Sequence, residues 1–232
     1  MPDAFTIRPA APNDAQAVAR IRVLGWRFAY QGLISQDYLD SLSIAEDTER
    51  MRGYLSQLPQ NLPPNNLASV QGPNDGEKRS FMLAVRDDAV LGFCHFSAAP
   101  NNADRPGRTT PGGEMVGRLH SLYIDPDALG QGIGHALMNH ALSTFTAWGC
   151  KRAHLWVLEG NSRASSFYER QGWQLTGNTK VDRSFGVCLV EHEMTIQFQR
   201  ETIRMIVRLV EAGSRFIEAV AKLVDAISRW LV

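Results

Sequence analysis

Tyr123-Ile-Asp-Pro-Asp-Ala-Leu-Gly-Gln-Gly-Ile-Gly-His-Ala-Leu137 starts as a β-like run, breaks at Pro126 and resumes as a helix after glycines at alternate positions. The first turn of a helix leaves four backbone N–H groups unpaired and carries about half a unit of positive charge, so such a junction is an anion cradle in outline. Gly130, Gly132 and Gly134 have no Cβ, which lets a bulky diphosphate come close and lets the turn adopt left-handed dihedrals. A P-loop would need a lysine after the last glycine, and none follows. A dinucleotide fingerprint needs Gly-x-Gly-x-x-Gly, whereas these glycines are spaced by two throughout. Glycine also serves plain strand-to-helix turns, so the flanking sequence has to decide.

It does so downstream. Arg152 to Leu158 is a strand by composition, and Glu159-Gly-Asn-Ser-Arg-Ala-Ser-Ser-Phe-Tyr-Glu-Arg-Gln-Gly-Trp173 follows it. Asn161 suits a helix N-cap and Gly172 a C′ position, which predicts a helix over 161–171. The two segments together resemble the GNAT superfamily of N-acetyltransferases. In that family a strand ending in hydrophobic-x-Pro leads into Arg/Gln-x-x-Gly-x-Gly/Ala, and Gly132 and Gly134 match the two glycine positions; Leu129 stands where the family has Arg or Gln. The second family motif, Asn-x-x-Ala-x-x-Phe-Tyr followed by Gly and an aromatic residue, is met by Asn161, Ala164, Phe167, Tyr168, Gly172 and Trp173.

The resemblance implies an acetyl-CoA-dependent N-acetyltransferase in which an amine attacks the bound thioester directly. It places the pyrophosphate of coenzyme A on the stretch Leu129, Gly130, Gln131, Gly132, Ile133, Gly134 and His135. The pantetheine arm would run along the main chain of Leu122, Tyr123 and Ile124, with Asn161 and Phe167 also on the cofactor. Tyr168 falls on the tyrosine that serves the family as general acid at the coenzyme sulfur. The strand position that often supplies a glutamate base holds Arg118, which leaves His120, two residues on, and Glu114, four residues earlier, as substitutes. Arg118 and Leu129 also keep open a non-catalytic acyl-CoA-binding or regulatory module. Near the N-terminus, Trp26-Arg-Phe-Ala-Tyr-Gln-Gly32 is similar to the Trp-x-x-Ala-Tyr-x-Gly of one bacterial branch, where it faces the acceptor. Trp26 and Tyr30 share a helix face, and either core packing or a pocket wall would use them.

Around these motifs the order of elements predicts a mixed α/β fold. A strand near 4–8 leads to helix 13–30, and a second helix occupies 44–57. After a Pro- and Asn-rich loop, strands 80–86 and 89–97 form a hairpin across Asp87-Asp88, and another polar loop leads to strand 115–124. In the helix after the glycine turn Ile133, Leu137, Ala141 and Phe145 line one stripe; strand 152–158, helix 161–171 and strands near 173–176 and 186–197 follow. By resemblance this is a GNAT domain over 1–197: a mostly antiparallel sheet with a splayed parallel strand pair at its centre and helices on both faces. Beyond it, apolar residues from Ile203 to Leu231 at helical spacing predict an amphipathic helical extension over 198–232, suited to self-packing or to a homodimer.

Composition narrows the partners. The 232 residues carry 24 basic and 24 acidic side chains, so no net field favours nucleic acid or an anionic membrane. No apolar run approaches the roughly 18 residues of a membrane span, and the chain opens without a basic and apolar leader, so a cytoplasmic protein with no transmembrane segment is expected. Cys94, Cys150 and Cys188 are widely spaced and no histidines cluster, so reduced, buried thiols and no metal site are expected. The acceptor implied is a small-molecule or peptide amine.

Overall fold

The computed structural model describes residues 4–58, 70–71, 77–100, 113–183 and 188–198. All the described elements belong to one compact unit, Met1–Gln197. The helices expected over 198–232 lie outside the described residues, as do the greater parts of both polar loops.

In chain order the elements are β1 (Thr6–Pro9), α1 (Ala15–Ala29), α2 (Gln36–Ser41), α3 (Ile44–Ser56), β2 (Val70–Gln71), β3 (Lys78–Arg86), β4 (Ala89–Pro100) and β5 (Met115–Ile124). Then follow α4 (Ile133–Ala147), β6 (Arg152–Leu158), α5 (Ser162–Arg170), β7 (Gln174–Asp182) and β8 (Leu189–Gln197). They form one sheet in the order β1-β3-β4-β5-β6-β8-β7, with β2 pairing β3 beside β1. Every pairing is antiparallel except that of β5 with β6. The fold class is thus the one the motifs implied.

The hairpin between β3 and β4 turns on Asp87 and Asp88, both at positive φ (47° and 64°), the mirror-image turn whose twist matches flanking strands. On one sheet face Val18 and Ile21 of α1 and Leu55 of α3 pack on Phe81, Leu83 and Phe93. Arg22 of α1 pairs with the buried Asp47 of α3 at 2.6 Å, and Arg50 joins the same carboxylate, which ties the two helices together. The apolar stripe of α4 covers the other face: Ile133, Leu137, Ala141 and Phe145 are all buried. A Cβ on Gly117 would meet the Phe145 ring at 2.6 Å, so α4 sits directly on the middle of β5.

Several elements differ from expectation. Residues 12–14 form a separate 3-10 turn ahead of α1, with the Asp14 side chain accepting from the Ala11 N–H and pairing with Arg8. The short α2 has too few residues for a helical period to show. The strand expected at 173–176 runs to Asp182, because β7 is a largely exposed outer strand whose mostly polar sequence leaves no apolar alternation to read. Cys94 and Cys150 are buried as expected, but Cys188 is exposed, since it precedes the buried Leu189 at the start of β8. Among the described residues no helix is long and apolar enough to cross a membrane, and no cluster could hold a metal.

Candidate active site

The parallel pairing of β5 with β6 lasts three residues, Val116↔Arg152, Gly117↔Ala153 and Arg118↔His154. Both strands continue past it, β5 to Ile124 and β6 to Leu158, without pairing again. A bulge marks the divergence. On β4 the neighbours Phe96 and His95 face Leu119 and Ser121, so His120 is an extra residue in β5. Backbone polar groups along the parted edges need partners, and a ligand with amide groups can supply them. The opening is a cavity of about 580 Å³.

At one end of the cavity is the glycine turn. Asp125 anchors its start: the Asp125 N–H donates to Leu91 O at 2.8 Å, and its carboxylate accepts from Arg20 at 2.5 Å and from the Asp127 N–H at 3.1 Å. After a 3-10 turn at Pro126–Ala128, Gly130 and Gly132 both adopt φ of 79°, the left-handed region. Gly132 is the N-cap of α4, and its carbonyl takes the first helical bond from Ala136 N. Among the described residues nothing accepts from the N–H groups of residues 130 to 135, so they are available to an anion. The Gln131 side chain turns away and accepts from Arg86 at 3.0 Å. A Cβ on Gly134 would come to 3.6–3.7 Å from Ile124 and Phe167, both cavity-wall residues.

Tyr168 lies on α5, whose N-cap Asn161 accepts from the Ala164 N–H at 3.1 Å, as its motif implied. Tyr168, Tyr123 and Tyr30 all line the cavity, and burial raises the pKa of each phenol. They therefore stay protonated, as hydrogen-bond donors, through the neutral range. Trp26 satisfies both readings of its motif: it is 4% exposed, donates from Nε1 to Tyr123 Oη at 2.8 Å, and still forms part of the wall.

His120 lies on the α1 face of the sheet with Arg118, two residues earlier, and both line the cavity. Its ring stacks on His95 with centroids 4.6 Å apart, and Nε2 shares a hydrogen bond with Ser97 Oγ at 2.7 Å. His95 is in turn bonded to Tyr54 Oη at 2.7 Å. Burial, with Arg79 and Arg118 nearby, pushes His95 down to about 4. His120 is lowered too, by burial and then by His95 and Arg118, although part of the residue meets solvent in the cavity. Both imidazoles are neutral at pH 7.

Of the residues implied by the motifs, Trp26, Tyr30, His120, Leu122, Tyr123, Ile124, Leu129, Gly130, Gly132, Ile133, Gly134, His135, Asn161, Phe167 and Tyr168 all line this one cavity. Gln131 does not, for the reason given above. Glu114 does not either: it is exposed just before β5, while the glycine turn follows the strand's far end, ten residues and about 33 Å of extended chain away. Residues four apart in a strand share a face but not a depth.

Sequence reasoning missed the opposite wall. Trp156 of β6, Lys180 and Asp182 of β7 and Glu191 of β8 also line the cavity. The one signal for them was the alternation of Glu191 and Glu193 in a strand, which reads equally well as a solvated face.

A family model described as "Acetyltransferase (GNAT) family" matches residues 42–173. Relatives include a mycothiol acetyltransferase of Geodermatophilus obscurus, 38% identical over 93 residues, which are 40% of this chain and 28% of that protein. Another is the peptidyl-lysine N-acetyltransferase YjaB of Salmonella typhimurium, 39% identical over 64 residues, 28% of this chain and 41% of that one. The chain thus spans well under half the length of these two curated relatives. Among solved structures, the PaiA N-acetyltransferase of Thermoplasma acidophilum in complex with coenzyme A aligns with a TM-score of 0.55 at 20% identity, covering 84% of this chain and 99% of that one. The structure of yncA of Salmonella typhimurium with acetyl-CoA aligns with a TM-score of 0.52 at 15% identity, covering 85% and 96%.

Proposed function

The chain belongs to the GNAT acetyltransferase family, and on that premise we propose that it transfers an acetyl group from acetyl-CoA to a primary amine by direct attack in a ternary complex. The observation that carries this reading is the parting of β5 and β6 after three pairs, with the glycine turn at one end of the gap and Tyr168 in its wall. The diphosphate of the donor lies on the N–H groups of residues 130 to 135. Its pantetheine amides bond the free edge of β5 near Leu122, Tyr123 and Ile124, as a neighbouring strand would.

The acceptor enters from the side of Trp26, Tyr30 and His120. An alkylammonium with a pKa near 10.4 loses its proton at a cost of about 4 to 5 kcal/mol at pH 7 before the nitrogen can attack. His120 is neutral and offers a ring nitrogen to the attacking N–H. Because protonation of His120 is disfavoured, the proton passes on to water rather than resting there. As the C–N bond forms and the C–S bond breaks, negative charge reaches the sulfur and the Tyr168 hydroxyl donates to it. A phenol near pKa 10 is a weaker acid than a thiol near 8.5, so full transfer to a free thiolate would be uphill by about 2 kcal/mol. Burial raises the phenol further, and the hydroxyl therefore acts by a hydrogen bond that strengthens in the transition state.

The test is thiol release from acetyl-CoA by the full-length chain across a panel of primary amines, with calorimetric acetyl-CoA binding alongside. Binding without turnover on any amine would favour the second reading, an acyl-CoA-binding module, for which Arg118 at the usual base position is the observation.

A further inference from the structure

The wall opposite the glycine turn carries an arrangement that acetyl-CoA does not need. Lys180 Nζ lies 2.7 Å from Glu191 Oε2 and 4.8 Å from the centroid of the Trp156 ring. All three residues line the cavity, and they come from three neighbouring strands: Glu191 on β8 is the register partner of both Leu158 on β6 and Lys180 on β7. The Glu191 side chain is 20% exposed and that of Lys180 34%, so the ion pair is sheltered yet reachable from the cavity. A carboxylate beside an aromatic face is the chemistry that holds an alkylammonium, by charge and by the ring quadrupole together. Here an alkylammonium is already seated on it, and it belongs to the chain itself.

We propose that Glu191 and the face of Trp156 form the ammonium subsite of the acceptor, and that Lys180 occupies this subsite as an internal stand-in until a substrate amine displaces it. The inference rests on the acetyltransfer reading for its function, but the subsite is defined by geometry alone. The ligand it takes is a primary ammonium on a flexible alkyl arm, which is the chemistry of the lysine side chain now filling it. The other cations on the cavity wall, Arg118, Arg163 and Arg170, come from β5 and α5, whereas its acids, Asp182 and Glu191, come from β7 and β8. An incoming ammonium is therefore drawn to the β7–β8 wall and a diphosphate away from it. An internal lysine that holds the subsite about four fifths of the time weakens apparent amine affinity about fivefold.

The experiment titrates n-butylamine, an ammonium at pH 7, into full-length wild type, Lys180→Met, Glu191→Gln and the double variant, and follows the Trp156 indole N–H resonance. Methionine keeps an apolar stem against the ring and removes the competing charge. Lys180→Met is expected to bind butylammonium about fivefold more tightly than wild type. Glu191→Gln and the double variant should bind it at least about tenfold more weakly than Lys180→Met. If Lys180→Met binds no more tightly than wild type, or the double variant keeps the gain, the proposal is overturned. Turnover is measured on the same samples: the KM for butylamine falls in Lys180→Met while kcat stays within about twofold. Butylammonium binding without thiol release from acetyl-CoA on butylamine or any amine of the panel would leave the subsite standing and remove the acetyltransfer reading; turnover with no tighter binding in Lys180→Met would do the reverse.

Discussion

The two ends of the cavity are built in different ways. The end proposed for the donor is backbone from one continuous stretch, 119–135: a strand edge without a partner, two left-handed glycines and a helix start. The end proposed for the acceptor is side chains gathered from α1, the β5 bulge, β6, β7 and β8. A site made of backbone tolerates a changed side chain and fails when a Cβ intrudes; a site made of side chains behaves the opposite way. Leu129, at a position where the family often has Arg or Gln, fits the first rule, since the N–H groups of residues 130 to 135 remain in place.

The sharpest way to break this contrast is Gly134→Val. Its Cβ would sit 3.6–3.7 Å from Ile124 and Phe167 of the cavity wall, and its two methyl groups add bulk at the start of α4. Acetyl-CoA affinity should fall about a hundredfold, or about 3 kcal/mol, by calorimetry; a change under threefold would show that the turn is not the donor cradle. Next in size, Tyr168→Phe should lower kcat about thirtyfold with acetyl-CoA affinity within twofold, as expected of a hydrogen bond made mainly in the transition state. Equal loss of affinity would move Tyr168 from the reacting end to the donor end.

The acceptor-side histidines give a pH effect. His95 is held near 4 when folded against 6.5 as the unperturbed value, so below 6.5 the unfolded chain binds more protons than the folded one. Its contribution to stability is therefore present above pH 6.5 and is lost as the pH falls toward 4, by roughly 1 to 2 kcal/mol at pH 5. Thermal melts at pH 7 and pH 5 should show the drop, and His95→Gln should reduce it; an unchanged drop would mean that other groups cause it. Carboxylates with lowered pKa, such as Asp14 and Glu193, act in a separate window below their unperturbed values. Gln131→Ala should have the smallest effect, less than twofold on acetyl-CoA affinity, because that side chain faces Arg86.

The same contrast explains what the sequence revealed. The glycine turn and the helices beside it were legible because their signals are local: proline, alternate glycines, a capping Asn161 and a helical stripe all act within a few residues of one another. Strands β5 and β6 were bounded as found, since apolar content and turn residues delimit them. The wall from β6, β8 and β7 was not legible, because Glu191 meets Lys180 only through the strand order β6-β8-β7, in which the last strand inserts between two earlier ones. The bulge at His120 was not legible either, because a one-residue shift of register leaves no mark on composition. Glu114 lies outside the cavity lining for the related reason that strand period gives the face of a residue and not its distance along the sheet.

The early parting of β5 and β6 has a consequence outside catalysis. Unpaired strand edges invite pairing with another chain, and here two such edges lie open within one molecule whenever the donor is absent. The donor proposed for this gap would then protect against aggregation, since a ligand at a hundred times its Kd adds about 2.7 kcal/mol to the folded state. On the proposed reading, purification in the presence of coenzyme A should raise the yield of soluble material.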